Sequence, residues 1–445
     1  MRILVLAIAL TGTNVAARGQ KTTTAHEKEI YIPEDLRSND FNDNSSKWSY
    51  RRMRTSDNFV IFWDKGFGDD MSKAPQLEGH DMRVDLDNLV DKLESFYAFY
   101  KDSMRFVLPG SKSEKYKMMA MLNYSLEGTA YGGDYDGTIG ALWIAPNRVQ
   151  DKKLNCIAHE IGHSFQSQII ADGTGECWGG GGIFEMTSQW MLWNVNPEWV
   201  KDENYHWQFF RKHTYLPFLA GENIYTSPYV LEYWSMRHGL TVMADLFRAG
   251  KRGEDPALTY MRMFLDKRKD IGLPYMPDEK VTVLFADELL DCYSRLITFD
   301  FPRVKSVCKP HINQLSTETK REGDAQGRQI IRPTEEQTPQ TFGCNVISIS
   351  ETAGKHKVTF HGEGDKTRDG FAYKLVCTDD LGNAKYSKVR HDFDGDISIN
   401  TPEGFTHTYL VVVAYPKEGY KPREFNPYAP QDNSSVRQYG YHFEK

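Results

Sequence analysis

His159, Glu160 and His163 stand in the run His159-Glu160-Ile161-Gly162-His163, two imidazoles four residues apart with a carboxylate beside the first. In a helix, positions four apart share a face, so both rings can reach one metal ion. Imidazole nitrogen suits zinc, and a neighbouring carboxylate can take a proton from water that the metal polarises. Leu154, Ile157, Ala158, Ile161 and Phe165 recur around the run at helical spacing. That stripe predicts a helix packed on a core, with the His-Glu-His edge turned away from it. The plainer alternative is a buried helix whose histidines only satisfy local hydrogen bonds.

A catalytic zinc usually has three protein ligands and one open position. The third histidine of the pattern H-E-x-x-H-x-x-G-x-x-H is missing, because Ile169 holds its place. A carboxylate on a second helix is left. Glu185, near the head of the run Phe184 to Trp193, is the stronger candidate. Glu176 competes, but it lies in a glycine-rich loop where a ligand would be poorly preorganised.

Other elements must hold this helix in place. Phe59-Val60-Ile61-Phe62-Trp63 reads as a buried strand, and Lys117 to Tyr124 as a second, its methionines serving as core filler. Leu86, Leu89, Val90, Leu93, Phe96, Tyr97 and Tyr100 predict a long amphipathic helix reaching about Phe106. Gly132 to Gly137 reads as a turn cluster before the strand Ala141 to Ala145. Strand, helix, strand, strand, helix is an α+β order. Segments from Phe184 to about Ile297 read as mostly helical. After a polar stretch, Val346 to Ile349, Lys357 to Phe360, Tyr373 to Val376 and Tyr409 to Val413 are short β-type runs separated by turns, which suits an all-β sandwich.

The expected division is a signal peptide over 1–17, a flexible leader over 18–45, a catalytic domain over 46–320, a linker over 321–340 and a β-sandwich over 341–445. Arg2 followed by Ile3 to Leu10 gives a charged start and a short apolar run, and Val15-Ala16-Ala17 offers a signal-peptidase site. No other apolar run approaches the ~18 residues that cross a bilayer, so an exported, soluble chain without a membrane anchor is expected. The net charge of −7 gives no general affinity for nucleic acid. Six cysteines suit an oxidising compartment. Cys292/Cys308, Cys344/Cys377 and Cys156/Cys177 are near enough in sequence to pair. No C-x-x-C spacing supports zinc ligation by sulfur.

His159-Glu160-Ile161-Gly162-His163-Ser164-Phe165-Gln166 followed by Glu185 resembles the gluzincin clan of zinc metallopeptidases, and its H-E-x-G-H-x-x-Q form is similar to the mucin-degrading, enhancin-like branch. The layout from Asp57 to Glu185 also resembles an uncharacterised secreted bacterial family of that clan, over roughly residues 50–300. The resemblance implies a zincin-like catalytic domain, with zinc held by His159, His163 and Glu185 and with Glu160 as general base. Four residues beyond the ligand glutamate, where such chains often carry Asp or Asn to orient a histidine, Gln189 stands here. Tyr225 and Tyr229 sit where gluzincin-like chains supply an oxyanion donor, although each also reads as part of an aromatic core stripe, and His238 reads the same way. The strand Ala141 to Ala145 is expected to be the edge that receives an extended substrate. The leading expectation is a secreted zinc endopeptidase acting on proteins or glycoproteins, with possible glycan contact by the C-terminal sandwich. A zinc-retaining binding protein and a zinc hydrolase of non-peptide bonds are the other readings.

Overall fold

Phe59, Ile61 and Trp63 leave one face of their strand, Val60 and Phe62 the other, and all are buried. Such continuous apolar runs belong to strands covered on both faces. In the computed structural model, which describes residues 27–180, 183–268, 271–272, 274–323, 327–423 and 435–444, both coverings are present. The strands are β1 (Met53–Thr55), β2 (Phe59–Trp63), β3 (Met118–Leu122), β4 (Ala130–Tyr135) and β5 (Ile139–Ile144), in the spatial order β1-β2-β3-β5-β4. β2, β3 and β5 run parallel, and β1 and β4 are antiparallel to their neighbours. One face packs on helices α1 (Leu86–Ala98) and α3 (Asn155–Ala171), with the short α2 (Lys112–Lys115) between them in sequence. The other face, with Val60, Phe62, Met119 and Met121, is covered by Phe41 and Trp48.

Over its described part, residues 27–45, that covering corrects the expected flexible leader. Polar composition conceals Ile30, Ile32, Leu36 and Phe41, which pack on the outer face of the sheet, and Glu29 bridges to Tyr116. The expected signal peptide lies outside the described residues. A second correction concerns Gly132 and Gly133, read as a turn: they are inside β4, and β4 rather than β5 is the outermost strand.

Helices α4 (Phe184–Val195), α5 (Trp199–Asp202), α6 (Asn204–Phe210), α7 (Tyr229–His238), α8 (Val242–Ala249), α9 (Pro256–Tyr260) and α10 (Glu279–Leu296) follow. Then come β6 (Thr319–Gly323), β7 (Gln329–Pro333), β8 (Cys344–Ser350), β9 (Gly354–Gly362), β10 (Asp369–Thr378), β11 (Ala384–Tyr386), β12 (Asp394–Thr401), β13 (His407–Pro416) and β14 (Tyr439–Glu444). They form two sheets, ordered β11-β10-β13-β8 and β12-β9-β14-β7-β6. Phe360, Leu375, Leu410, Val412 and Tyr441 fill the space between these sheets as in a sandwich. The fold is thus mixed α/β with three sheets among the described residues.

β13 shows why no bare boundary separates this part from the helices. Leu410, Val412 and Ala414 face the sandwich interior, while Tyr409, Val411, Val413 and Tyr415 join the core that contains α10. Each buried aliphatic side chain of this kind contributes about 1.5–3 kcal/mol. The segment 321–340 is no open linker either, since β6 and β7 extend the second sheet through β14. The cysteines are all free thiols. Cys344 and Cys377 lie in different cores, on opposite faces of one sheet, which prevents their pairing. Among the described residues no helix is long and apolar enough to cross a membrane.

Candidate active site

Ile157, Ile161 and Phe165 anchor α3 with no exposed surface. Their burial turns Glu160 and His163 outward, each partly accessible, with His159 only 8% exposed. Two glycines let the neighbours close in. A Cβ on Gly162 would lie 2.7 Å from Ser188 Oγ, so α4 approaches α3 only because that position has no side chain. A Cβ on Gly132 would fall 1.7 Å from the carbonyl oxygen of Glu160, and the same logic seats β4 against α3. On the far side, Trp190 Nε1 donates to Glu232 Oε2 (3.0 Å), tying α4 to α7.

This packing delivers Glu185 to the two imidazoles. Glu185 Oε2 lies 2.9 Å from His159 Nε2 and 3.2 Å from His163 Nε2, and the two Nε2 atoms are 3.2 Å apart. The other ring nitrogens decide what these atoms carry. Gln189 Nε2 donates to the Tyr225 carbonyl (3.1 Å), which directs Gln189 Oε1 to His159 Nδ1 (3.2 Å). Gln166 Nε2 donates to the Phe184 carbonyl (3.1 Å) and to Ser188 Oγ (3.0 Å), directing its Oε1 to His163 Nδ1 (3.2 Å). Both Nδ1 atoms are thus held as donors, so in the neutral rings each Nε2 presents a lone pair towards Glu185 and the other ring.

Three electron-pair donors at such separations repel unless a proton or a metal ion lies between them. Zinc at ~2.0–2.1 Å from each donor would need donor separations of about 3.3 Å, close to those seen. The chemistry and the spacing of the donor set fit the metal. The same convergence governs protonation. Burial acts to raise the Glu185 carboxyl, but the two imidazoles overcome it and hold it well below the ordinary carboxylate range. Burial acts to lower His163, and Glu185 outweighs it, so the imidazole is raised.

Glu160 is placed differently. His159, Glu160 and His163 offer donor atoms within 4.8 Å of one another, yet Glu185 lies closer to both rings. Glu160 Oε2 instead accepts the Gly132 N–H (2.9 Å). Burial pushes its carboxyl up, against the pull of the two histidines and of the Gly132 amide. A raised carboxyl is a stronger proton acceptor, and this one stands beside the candidate metal donors. Glu160 also lines a cavity of about 370 Å³ with His159, Gln189, Tyr131 and Tyr225. β4, an edge strand of the sheet, forms one wall.

The remaining expectations divide. Tyr225 is 42% exposed, its ring centroid 6.0 Å from that of His159. Tyr229 lies in the core instead, packed among Trp193, Trp207 and Phe210. Its place in the aromatic stripe, not the site, explains it. His238 bonds to Tyr260 (2.8 Å) and stacks on Phe264, also in packing roles. Glu176 is exposed and accepts the Arg252 amide (3.1 Å). Sequence reading assigned no role to Gln166 and Ser188, although each stands three residues beyond a site residue on its helix.

The family described as "Family of unknown function (DUF6055)" matches residues 22–444. No curated protein matches the sequence. Among solved structures, the ZmpB metallopeptidase from Clostridium perfringens is similar at 14% identity and a TM-score of 0.29, covering 85% of this chain and 68% of that one. The M60 catalytic domain with two CBM51 domains from Clostridium perfringens ZmpB gives 10% identity and a TM-score of 0.28, covering 89% of this chain and 59% of that one. A family 29 carbohydrate binding module mutant gives 11% identity and a TM-score of 0.15, covering 28% of this chain and 76% of that one.

Proposed function

The chain belongs to the DUF6055 family, and we propose that it is a zinc-dependent peptidase. The observation that carries this reading is the meeting of three donor atoms, from His159, His163 and Glu185, beside the partly buried carboxylate of Glu160. His159 Nε2, His163 Nε2 and Glu185 Oε2 would hold the zinc. When bound, the metal supplies Lewis-acid polarisation of a carbonyl and lowers the pKa of water towards ~7. Glu160 accepts a proton from water at its carboxylate and returns it to the leaving amine. The Gly132 amide fixes one oxygen of that carboxylate, leaving the other for proton transfer. An extended polypeptide adds to the edge of β4, and Tyr225, exposed beside His159, is the candidate donor to the developing oxyanion.

Gln189 and Gln166 are positioning residues in this scheme, each holding one histidine with its metal-facing nitrogen unprotonated. Gln189→Ala and Gln166→Ala are each expected to weaken zinc binding by ~10–100-fold. Competition with a chromophoric chelator reads this, with thermal unfolding as a check on integrity. Unchanged affinity in both variants would remove the orienting role.

The proposal is tested by incubating the chain with a denatured protein mixture and scoring new N-termini. Cleavage is expected to stop when 1,10-phenanthroline removes the metal and to return with stoichiometric zinc. Cleavage that persists after verified metal loss would overturn the assignment.

A further inference from the structure

A second cavity of about 420 Å³ opens beside the first, and the two share Arg148, Asn155, Cys156 and Glu203 in their walls. Together they make a groove leading away from Glu160. Its charged groups are nearly all engaged. Glu203 accepts from Asn155 Nδ2 (3.0 Å) and Trp199 Nε1 (3.1 Å) and lies 3.4 Å from His206 Nε2. Lys153 pairs with Asp202 (2.6 Å) and Glu198 (3.4 Å). Arg148 is the exception. It is exposed at the junction of the two cavities, and among the described residues its guanidinium has no hydrogen bond or ion pair.

The backbone that presents this arginine is fixed. It closes the single turn Pro146–Arg148, its N–H donating to the Ala145 carbonyl (3.0 Å), while the Ala145 N–H donates to Thr129 (3.1 Å) at the start of the β4 wall. A guanidinium is a planar fork of donors that matches a carboxylate in two parallel hydrogen bonds. Glu203, the acid common to both cavity walls, already holds its own donors, so the fork is left for a ligand.

We propose that Arg148 is a specificity-determining residue that receives a substrate carboxylate, so that the groove selects peptides with an acid near the bond held at Glu160. The proposal rests on the peptidase reading, whereas the groove and its guanidinium stand independently of it. The carboxylate has two sources, an acidic side chain or the free end of the chain.

The test uses the full-length, zinc-loaded protein and sets of peptides that differ only in Glu against Gln at each position, each with a free or amidated C-terminus. Cleavage is read in the wild type and Arg148→Ala, and binding by fluorescence anisotropy in the same two forms on a Glu160→Gln background. The wild type is expected to favour the acidic peptide at one position by about tenfold or more, the size of one charge-assisted hydrogen bond. Arg148→Ala should abolish that preference. Loss on amidation alone assigns the chain terminus as the source. Loss with Gln assigns the side chain. An acid preference that survives in Arg148→Ala, or that is absent from the wild type, overturns the proposal. If no peptide is cleaved but binding shows the Arg148-dependent preference, the subsite stands and the peptidase reading falls. If peptides are neither bound nor cleaved, both fall.

Discussion

Glu185→Ala protein is expected to lose its zinc on dialysis, whereas Glu176→Ala keeps it. Removing the carboxylate takes away the only anionic member of the donor set, along with the atom that lies within 3.2 Å of both Nε2 nitrogens. Two imidazoles at the ends of one helical turn still face one another, but they lack the charge that lets the site hold a dication in a buried wall. Glu176 is exposed and bonded to the Arg252 amide, outside the donor set. Metal analysis after gel filtration, with the wild type near one zinc per chain, reads the difference. Equal retention in the two variants, or loss only in Glu176→Ala, would transfer or dissolve the third-ligand role.

Glu160→Gln is expected to leave zinc content unchanged and to lower peptide hydrolysis by at least ~10²-fold. The amide is nearly isosteric, and its oxygen can still accept the Gly132 N–H, so β4 and α3 keep their contact. What disappears is the basic oxygen. Burial already pushes this carboxyl up, which makes it a stronger proton acceptor. An amide cannot take that proton, nor return one to a leaving amine. The same substitution therefore removes both halves of the proton transfer without disturbing His159, His163 or Glu185.

The parts of this site that were legible in the sequence are those set by local spacing. His159, Glu160 and His163 stand along one edge of a helix by their spacing, Glu185 followed from the missing third histidine, and Gln189 came from the resemblance to gluzincins. The apolar runs Phe59–Trp63 and Met118–Leu122 likewise announced buried strands. Strand order was not legible, because it depends on contacts distant in sequence. β4 was missed as the edge because Gly132 and Gly133 are turn signals by composition. In the structure Gly132 is there to let a strand approach the Glu160 carbonyl.

Composition misled in a second way at the two polar stretches. The segment before Trp48 reads as a leader because its charged and amide residues outnumber a few apolar anchors, yet Phe41 is 6% exposed and seals the outer face of the sheet. The stretch from 321 to 340 reads as a linker, while Ile330 is buried and β7 pairs with β14. A strand at the rim of a sheet needs few apolar residues, and hydropathy alone does not distinguish it from a loop. Tyr229 shows the reverse case. Its neighbours Tyr233 and Trp234 marked a core stripe, and burial follows that stripe.

The most direct test of the central claim is a paired measurement on wild-type and Glu160→Gln protein, each assayed for bound zinc and for new N-termini released from a denatured proteome. The account predicts one zinc per chain in both and cleavage in the wild type alone. Cleavage by Glu160→Gln at the wild-type rate would contradict it, as would zinc in both forms with no cleavage by either, which would make the chain a zinc-retaining binding protein.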